Sequence, residues 1–136
     1  MKISDLRIGS LVNIIDRSGK VHVLNPTFKV FCIEPFRVKV THAANNFAQT
    51  EEESFFWIDA KDLSPIQVDE KWLLAFNFKV HPWGWVVVDD KAFGIRLTIQ
   101  RYVYEISGEI GPKIDEVHKL QNLYHSLTGR ELPYSL

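Results

Sequence analysis

The segment 36–41 alternates strictly between apolar and polar side chains, and this pattern tightly constrains the fold of the first half of the chain. The alternating residues are Phe36, Val38 and Val40 on one parity and Arg37, Lys39 and Thr41 on the other. Successive side chains of a β-strand point to opposite sides of the sheet, so this pattern predicts a half-buried strand over 36–40. Such a strand belongs to a sheet that covers an apolar core on one side only.

Four further strand candidates lie in the first half of the chain, separated by turn residues. They cover residues 11–15, 21–24, 28–33 and 55–58. The first two are predicted to form a β-hairpin over 11–24, and the polar residues 42–53 are predicted to be a surface loop. Five short strands within about 60 residues predict a small, strongly bent sheet or an SH3-like barrel.

The second half of the chain predicts a helix, an antiparallel meander and a second helix. Asp69 is an N-cap candidate for a helix over 70–76, which Asn77 ends in the left-handed region. Strand patterns follow from residue 78 to residue 106. The last helix is predicted to carry Pro112 in its first turn and to end at Gly129.

These patterns together predict an α+β fold. It consists of an N-terminal bent β-sheet or SH3-like small barrel, then a helix, an antiparallel β-meander and a C-terminal helix. Residues 1–65 form the β-rich half and residues 66–136 the helix–antiparallel sheet–helix half, and the two halves are expected to share one core. A hydrophobic content of 46% excludes global disorder.

Charge and cysteine content limit the partners and the compartment. Lys and Arg number 16 against 17 Asp and Glu, a balance that does not favour binding to nucleic acid through its phosphates. The single cysteine, Cys32, excludes a disulfide within the chain and a cysteine metal site. No apolar run approaches the roughly 20 residues that cross a bilayer, and no secretory signal is recognisable, so we expect a cytoplasmic protein without a membrane partner.

Four polar residues of the last helix are spaced by three, four and three positions. They are Asp115, His118, Asn122 and His125. This spacing places them on one stripe of the helix. The stripe either packs on a neighbouring strand or is solvated, or it binds a partner. The two histidines are about 10 Å apart by helix rise, too far to share one metal ion, so no metal site is predicted.

Aromatic residues beside Gly84 are a second candidate. Trp83 and Trp85 either fill the core or form an exposed platform that stacks on a base or a sugar. A mixed stretch further along the chain is a candidate basic and aromatic patch. Its members are Arg96, Arg101, Tyr102 and Tyr104.

Three signatures recur in the order and spacing of a known group of proteins. They are Leu6-Arg7-Ile8-Gly9-Ser10-Leu11-Val12, residues 63–66 with Glu70-Lys71-Trp72-Leu73-Leu74-Ala75-Phe76-Asn77-Phe78, and residues 117–132. Over nearly its whole length the chain resembles short uncharacterised proteins of Bacteroidetes-type gut bacteria and their phages or mobile elements. The usual pattern of that group has Gly at the position of Asn77. The resemblance implies a phage or mobile-element setting and carries no activity.

No catalytic, cofactor-binding or metal-binding residue and no cofactor is predicted, because no nucleophile, phosphate-loop or dinucleotide motif occurs. We therefore expect a non-enzymatic binding or accessory protein with a protein partner. Two alternatives stay open. One is a nucleic-acid-binding accessory module, and the other is a small enzyme that uses a His/Asp site on the C-terminal helix.

Overall fold

The computed structural model describes residues 1–15, 27–43, 55–81, 84–87, 96–97, 103–106 and 109–135. The chain divides into two compact units, Met1–Ile66 and Gln67–Leu136, which we call the N-terminal and C-terminal units. The sequence placed the division between residues 65 and 66. That the two halves share one core stays a prediction.

The N-terminal unit contains a five-stranded antiparallel sheet. Its strands are β1 (Leu11–Ile14), β2 (Phe28–Ile33), β3 (Arg37–His42), β4 (Phe56–Asp59) and β5 (Leu63–Ser64). Their order is β4-β3-β2-β1-β5, with a short 3-10 turn, Ala60–Asp62, between β4 and β5. The strand ladders of the described residues join neighbours in this order and do not join β4 to β5, so the sheet is open rather than a closed barrel.

The core of the N-terminal unit lies on one face of this sheet. Its buried members are Leu6, Val12, Phe28, Val30, Val38, Val40 and Leu63. Val38 and Val40 are fully buried, as the alternation along β3 predicts. The predicted strand over 28–33 is confirmed as β2, whereas the predicted return strand over 21–24 lies outside the described residues.

The C-terminal unit contains the predicted helix, meander and helix. Its elements are α1 (Glu70–Ala75), β6 (Phe78–His81), β7 (Gly84–Val87), β8 (Arg96–Leu97), β9 (Val103–Ile106), β10 (Glu109–Lys113) and α2 (Val117–Thr128). The five strands lie side by side in chain order, which is an antiparallel meander.

The predicted helix ends of the C-terminal unit are confirmed at three positions. The Asp69 carboxylate accepts a hydrogen bond from the Trp72 backbone N–H at 2.9 Å and so caps α1. Asn77 follows α1 with φ 61°, and Gly129 ends α2 with φ 70°. Both are left-handed conformations that Gly and Asn adopt at low cost.

The predicted start of the last helix at Pro112 is wrong. Pro112 lies in β10, and α2 begins only at Val117, after the N-cap residue Glu116. β10 is one of the two edge strands of the meander, and its pairing with β9 shifts between Ile110 and Lys113. Proline has no backbone N–H to donate to a ladder, and an irregular edge strand tolerates that loss.

Candidate binding face on the N-terminal sheet

The side of β3 and β4 that faces away from the core carries cations and aromatic rings together. Lys39 lies directly opposite Trp57 in the ladder between the two strands. Because Val38 and Val40 point into the core, Arg37 and Lys39 point to the other side. Phe55, two residues before Trp57, has the same parity as Trp57.

A β-bulge in β2 adds a third ring to this side. Val30 pairs with Val40 and Cys32 pairs with Lys39, so Phe31 is an extra residue in the ladder. Such a bulge redirects side chains, and here the Phe31 ring lies against the Phe55 ring with the centroids 4.5 Å apart. The same insertion returns Ile33 to the core side, where it packs against the buried cluster.

We call the five side chains that meet on this side the outer face. They are Phe31, Arg37, Lys39, Phe55 and Trp57. Two of the rings contact cations. The guanidinium carbon of Arg37 lies 4.1 Å from the centroid of the Trp57 ring. The ammonium of Lys39 lies 5.7 Å from the Phe55 centroid and 5.9 Å from the Trp57 centroid, within the range of cation–π attraction.

A carboxylate holds the guanidinium of Arg37 in place. The Nε–H of Arg37 donates to Oε2 of Glu34 at 2.6 Å, and Nη2 donates to Oε1 at 3.5 Å. This hydrogen bond, and then the negative charges of Glu34 and Asp59, keep the pKa of Arg37 above its ordinary value. Both partners of the pair are exposed, so it orients the guanidinium over Trp57 rather than stabilising the fold.

Lys39 differs from Arg37 because no carboxylate of the described residues pairs with it. Among the described residues, Lys39 forms no ion pair, and its charge contacts only the rings of Phe55 and Trp57. The positive charge of the outer face that stays available to another molecule therefore lies on this one ammonium.

The outer face is partly accessible, and most of the large apolar side chains that are exposed among the described residues lie in the N-terminal unit. Of the five large apolar side chains that are exposed in the described part of the chain, only Leu74 lies in the C-terminal unit. The other four are Ile8, Phe31, Phe36 and Phe56. Phe31 is 46% exposed, whereas Phe55 and Trp57 are half-buried. Leu11 in β1 and Thr41 in β3 lie further along the same sheet surface, both opposite Lys29, and both are buried. The accessible part is therefore the end of the sheet that carries the bulge, Arg37, Lys39 and Trp57.

The polar residues predicted to form a stripe on the last helix are covered to different degrees. His118 is 1% exposed, whereas Asp115, Asn122 and His125 are half-buried. Asp115 precedes α2, and its carboxylate lies 3.8 Å from the ammonium of Lys119. Partner binding by this stripe stays a prediction, as does a small enzyme that uses it.

The tryptophan hairpin falls largely outside the described residues. Trp83 is not among them. The backbone of Trp85 lies in β7 opposite Val80, and the side chain of Trp85 is not among those described. Of the mixed stretch, Arg101 and Tyr102 lie outside the described residues, and the other two are described by their backbones only. Those two are Arg96 in β8 and Tyr104 in β9.

Sequence reasoning did not single out the outer face, although part of its signal was present. Arg37 and Lys39 were placed on the polar side of a strand, but the rings come from elsewhere in the chain. Trp57 reaches Lys39 only through strand pairing across residues 43–55. Phe31 joins them through a bulge inside a run of four apolar residues, where no alternation reveals a change of side.

Comparisons with protein-family models, with curated sequences and with solved structures found no match. Within the described ranges, no group of three or more His, Cys, Asp or Glu side chains is arranged to hold a metal ion. None of the helices in that part of the chain is long and apolar enough to cross a membrane.

Proposed function

We propose that this chain is a non-enzymatic binding or accessory protein of the cytoplasm, encoded by a phage or mobile element, and that its outer face contacts a protein partner. One observation carries the proposal. Three aromatic rings and an arginine lie on a partly accessible side of the N-terminal sheet, held by contacts with one another. The resemblance of the sequence to short proteins of phages and mobile elements supports the setting.

Four of the five side chains of the outer face, all except Lys39, are of types that are enriched at protein interfaces. Trp, Phe and Arg are enriched where proteins meet, and a few such residues supply most of the binding energy. The contacts within the face also reduce the entropy that binding would cost. Trp57 lies against Arg37, and Arg37 is held by Glu34, so these side chains are ordered before a partner arrives.

The charge of the outer face favours a protein over a nucleic acid. Rings and cations on a sheet also suit stacking on single-stranded bases. However, nucleic-acid binding draws on several cations that neutralise phosphates. Here Glu34 and Asp59 act on Arg37, and the whole chain has a net charge of −1. The two carboxylates offset Arg37. Lys39 is then the one available cation of the outer face among the described residues, too little charge to neutralise a row of phosphates.

The proposal is tested by quantitative capture from an extract of the native host. The baits are the wild-type chain, Trp57→Ala and Leu74→Ala, each checked for folding by circular dichroism. Leu74 is the control because it is 57% exposed and lies in the C-terminal unit. We expect the wild type and Leu74→Ala to retain the same protein, and Trp57→Ala to retain at least about tenfold less of it.

Equal recovery of that protein with all three baits would show that it binds elsewhere on the chain. Failure of the wild type to retain any protein specifically would also contradict the proposal. Phe31→Ala is a second test variant on the same face. Because Phe31 is nearly half exposed, its removal leaves the fold in place even if Trp57→Ala does not fold.

A further inference from the structure

We infer that the outer face binds an acidic peptide segment, in which one Asp or Glu side chain pairs with Lys39 and apolar neighbours contact Phe55 and Trp57. This inference rests on the proposed function and states the chemistry of the partner.

Lys39 lies at the centre of the outer face. In the neighbouring strands its ladder partners are Cys32 in β2 and Trp57 in β4. Its ammonium is within 6 Å of the centroids of two rings. An ammonium has three hydrogen-bond donors, and ring faces accept none of them as strongly as a carboxylate does. Within the described part of the chain, the ammonium thus contacts only rings and is available to pair with an anion.

The second cation of the face is already paired. Glu34 accepts from the Nε and Nη2 donors of Arg37 and offsets its charge, so an anion gains less from Arg37 than from Lys39. Asp59 lies opposite Arg37 in the adjacent strand and adds a second negative charge there. The face therefore presents one available positive site with negative charges at one end.

This charge arrangement suits one isolated carboxylate and not a row of phosphates. A nucleic-acid strand carries a negative charge at every nucleotide, so its next phosphates would meet Glu34 and Asp59. A peptide can present one acidic side chain and follow it with apolar ones. The rings that flank Lys39 provide apolar contact on two sides, from Phe55 with Phe31 and from Trp57. The expected ligand is an acidic residue between apolar or aromatic residues.

The inference is tested by selecting a library of random peptides, displayed on phage, against the full chain. We expect the selected peptides to share an Asp or Glu flanked by apolar or aromatic residues. The consensus peptide is then synthesised, and its affinity is measured by titration calorimetry at low and at high salt. Binding should weaken as salt is raised, because an accessible charge pair is screened.

Two lysine variants isolate the charge. Lys39→Gln removes the ammonium and leaves an uncharged polar side chain that is one bond shorter, and it should weaken the binding of the consensus peptide by at least about tenfold. Lys79→Gln is the matched control. Lys79 is an exposed lysine in β6 of the C-terminal unit, and its replacement should leave the affinity unchanged.

Selected peptides without an acidic residue, or equal affinity for wild type and Lys39→Gln, would overturn the inference. A selection that enriches no peptide would overturn it as well. So would tighter binding of a single-stranded oligo-deoxythymidine of twenty nucleotides than of the consensus peptide. If peptide binding is lost in Trp57→Ala but kept in Lys39→Gln, the inference of an acidic ligand is contradicted and the proposed function stands. If binding is unchanged in both variants, the inference of an acidic ligand and the proposed function are both contradicted.

Discussion

The two faces of β2, β3 and β4 are built from alternate residues of the same strands and differ in almost every property. On the inner face Val30, Val38 and Val40 have no exposed surface and pack into one aliphatic core. On the outer face Phe31 and Trp57 keep accessible surface. Phe31 packs against the ring of Phe55. Trp57 contacts the cations of Arg37 and Lys39. The difference indicates that the inner face stabilises the fold and that the outer face, which is partly exposed, contributes less to stability.

Single-residue deletions should separate the two faces most strongly. Deleting Val40 from the regular strand β3 shifts its pairing by one residue and moves its apolar side chains to the outer side, so we expect the N-terminal unit to unfold. Deleting Phe31 removes only the bulge. The pairs Val30–Val40 and Cys32–Lys39 then follow without interruption, and the fold should persist.

Circular dichroism and thermal unfolding of the two deletion variants provide the measurement. A folded Val40 deletion would show that the inner face does not determine the pairing of β3. An unfolded Phe31 deletion would show that the bulge is needed for the fold and not only for the outer face.

Two phenylalanines of β2 give the next largest contrast. Phe28 is 5% exposed and belongs to the core, so Phe28→Ala should lower the free energy of unfolding by about 3–5 kcal/mol. Phe31 loses mainly its contact with Phe55, so Phe31→Ala should cost about 1 kcal/mol. Urea unfolding of both variants measures the difference, and equal losses would mean that the two faces contribute alike to stability.

The smallest effect is expected at the ion pair of the outer face. Glu34→Gln removes the charge that holds Arg37, yet both side chains are exposed and water replaces the interaction. We expect no measurable change in the free energy of unfolding and a small loss of partner affinity, since Arg37 is less well ordered over Trp57. A clear loss of stability in urea unfolding would assign a structural role to the outer face.

Local sequence patterns predicted which side chains of β3 face the core. They did not predict the contacts that depend on the pairing of distant strands. Alternation over 36–41 correctly separated the buried Val38 and Val40 from Arg37 and Lys39. It was wrong at both ends, because Phe36 precedes β3 and is exposed, and Thr41 is buried. Cap chemistry correctly located Asp69, Asn77 and Gly129, because a cap depends on residues within one helical turn.

The neighbours of Lys39 could not be predicted from the sequence, because only strand pairing brings Trp57 and the Phe31 bulge close to it. The start of the last helix was predicted wrongly for a related reason. Pro112 suits the first turn of a helix and an irregular edge strand equally well, and pairing with β9 decides between them.

Hydroxyl-radical footprinting of the chain with its captured partner tests the central claim most directly. The measurement compares the oxidation of Phe31 and Trp57 with that of Trp72, which lies half-buried in the C-terminal unit, before and after saturation with the partner. We predict that Phe31 and Trp57 become protected while Trp72 is oxidised as before. Unchanged oxidation of Phe31 and Trp57 at saturation would contradict the assignment of the outer face as the binding surface.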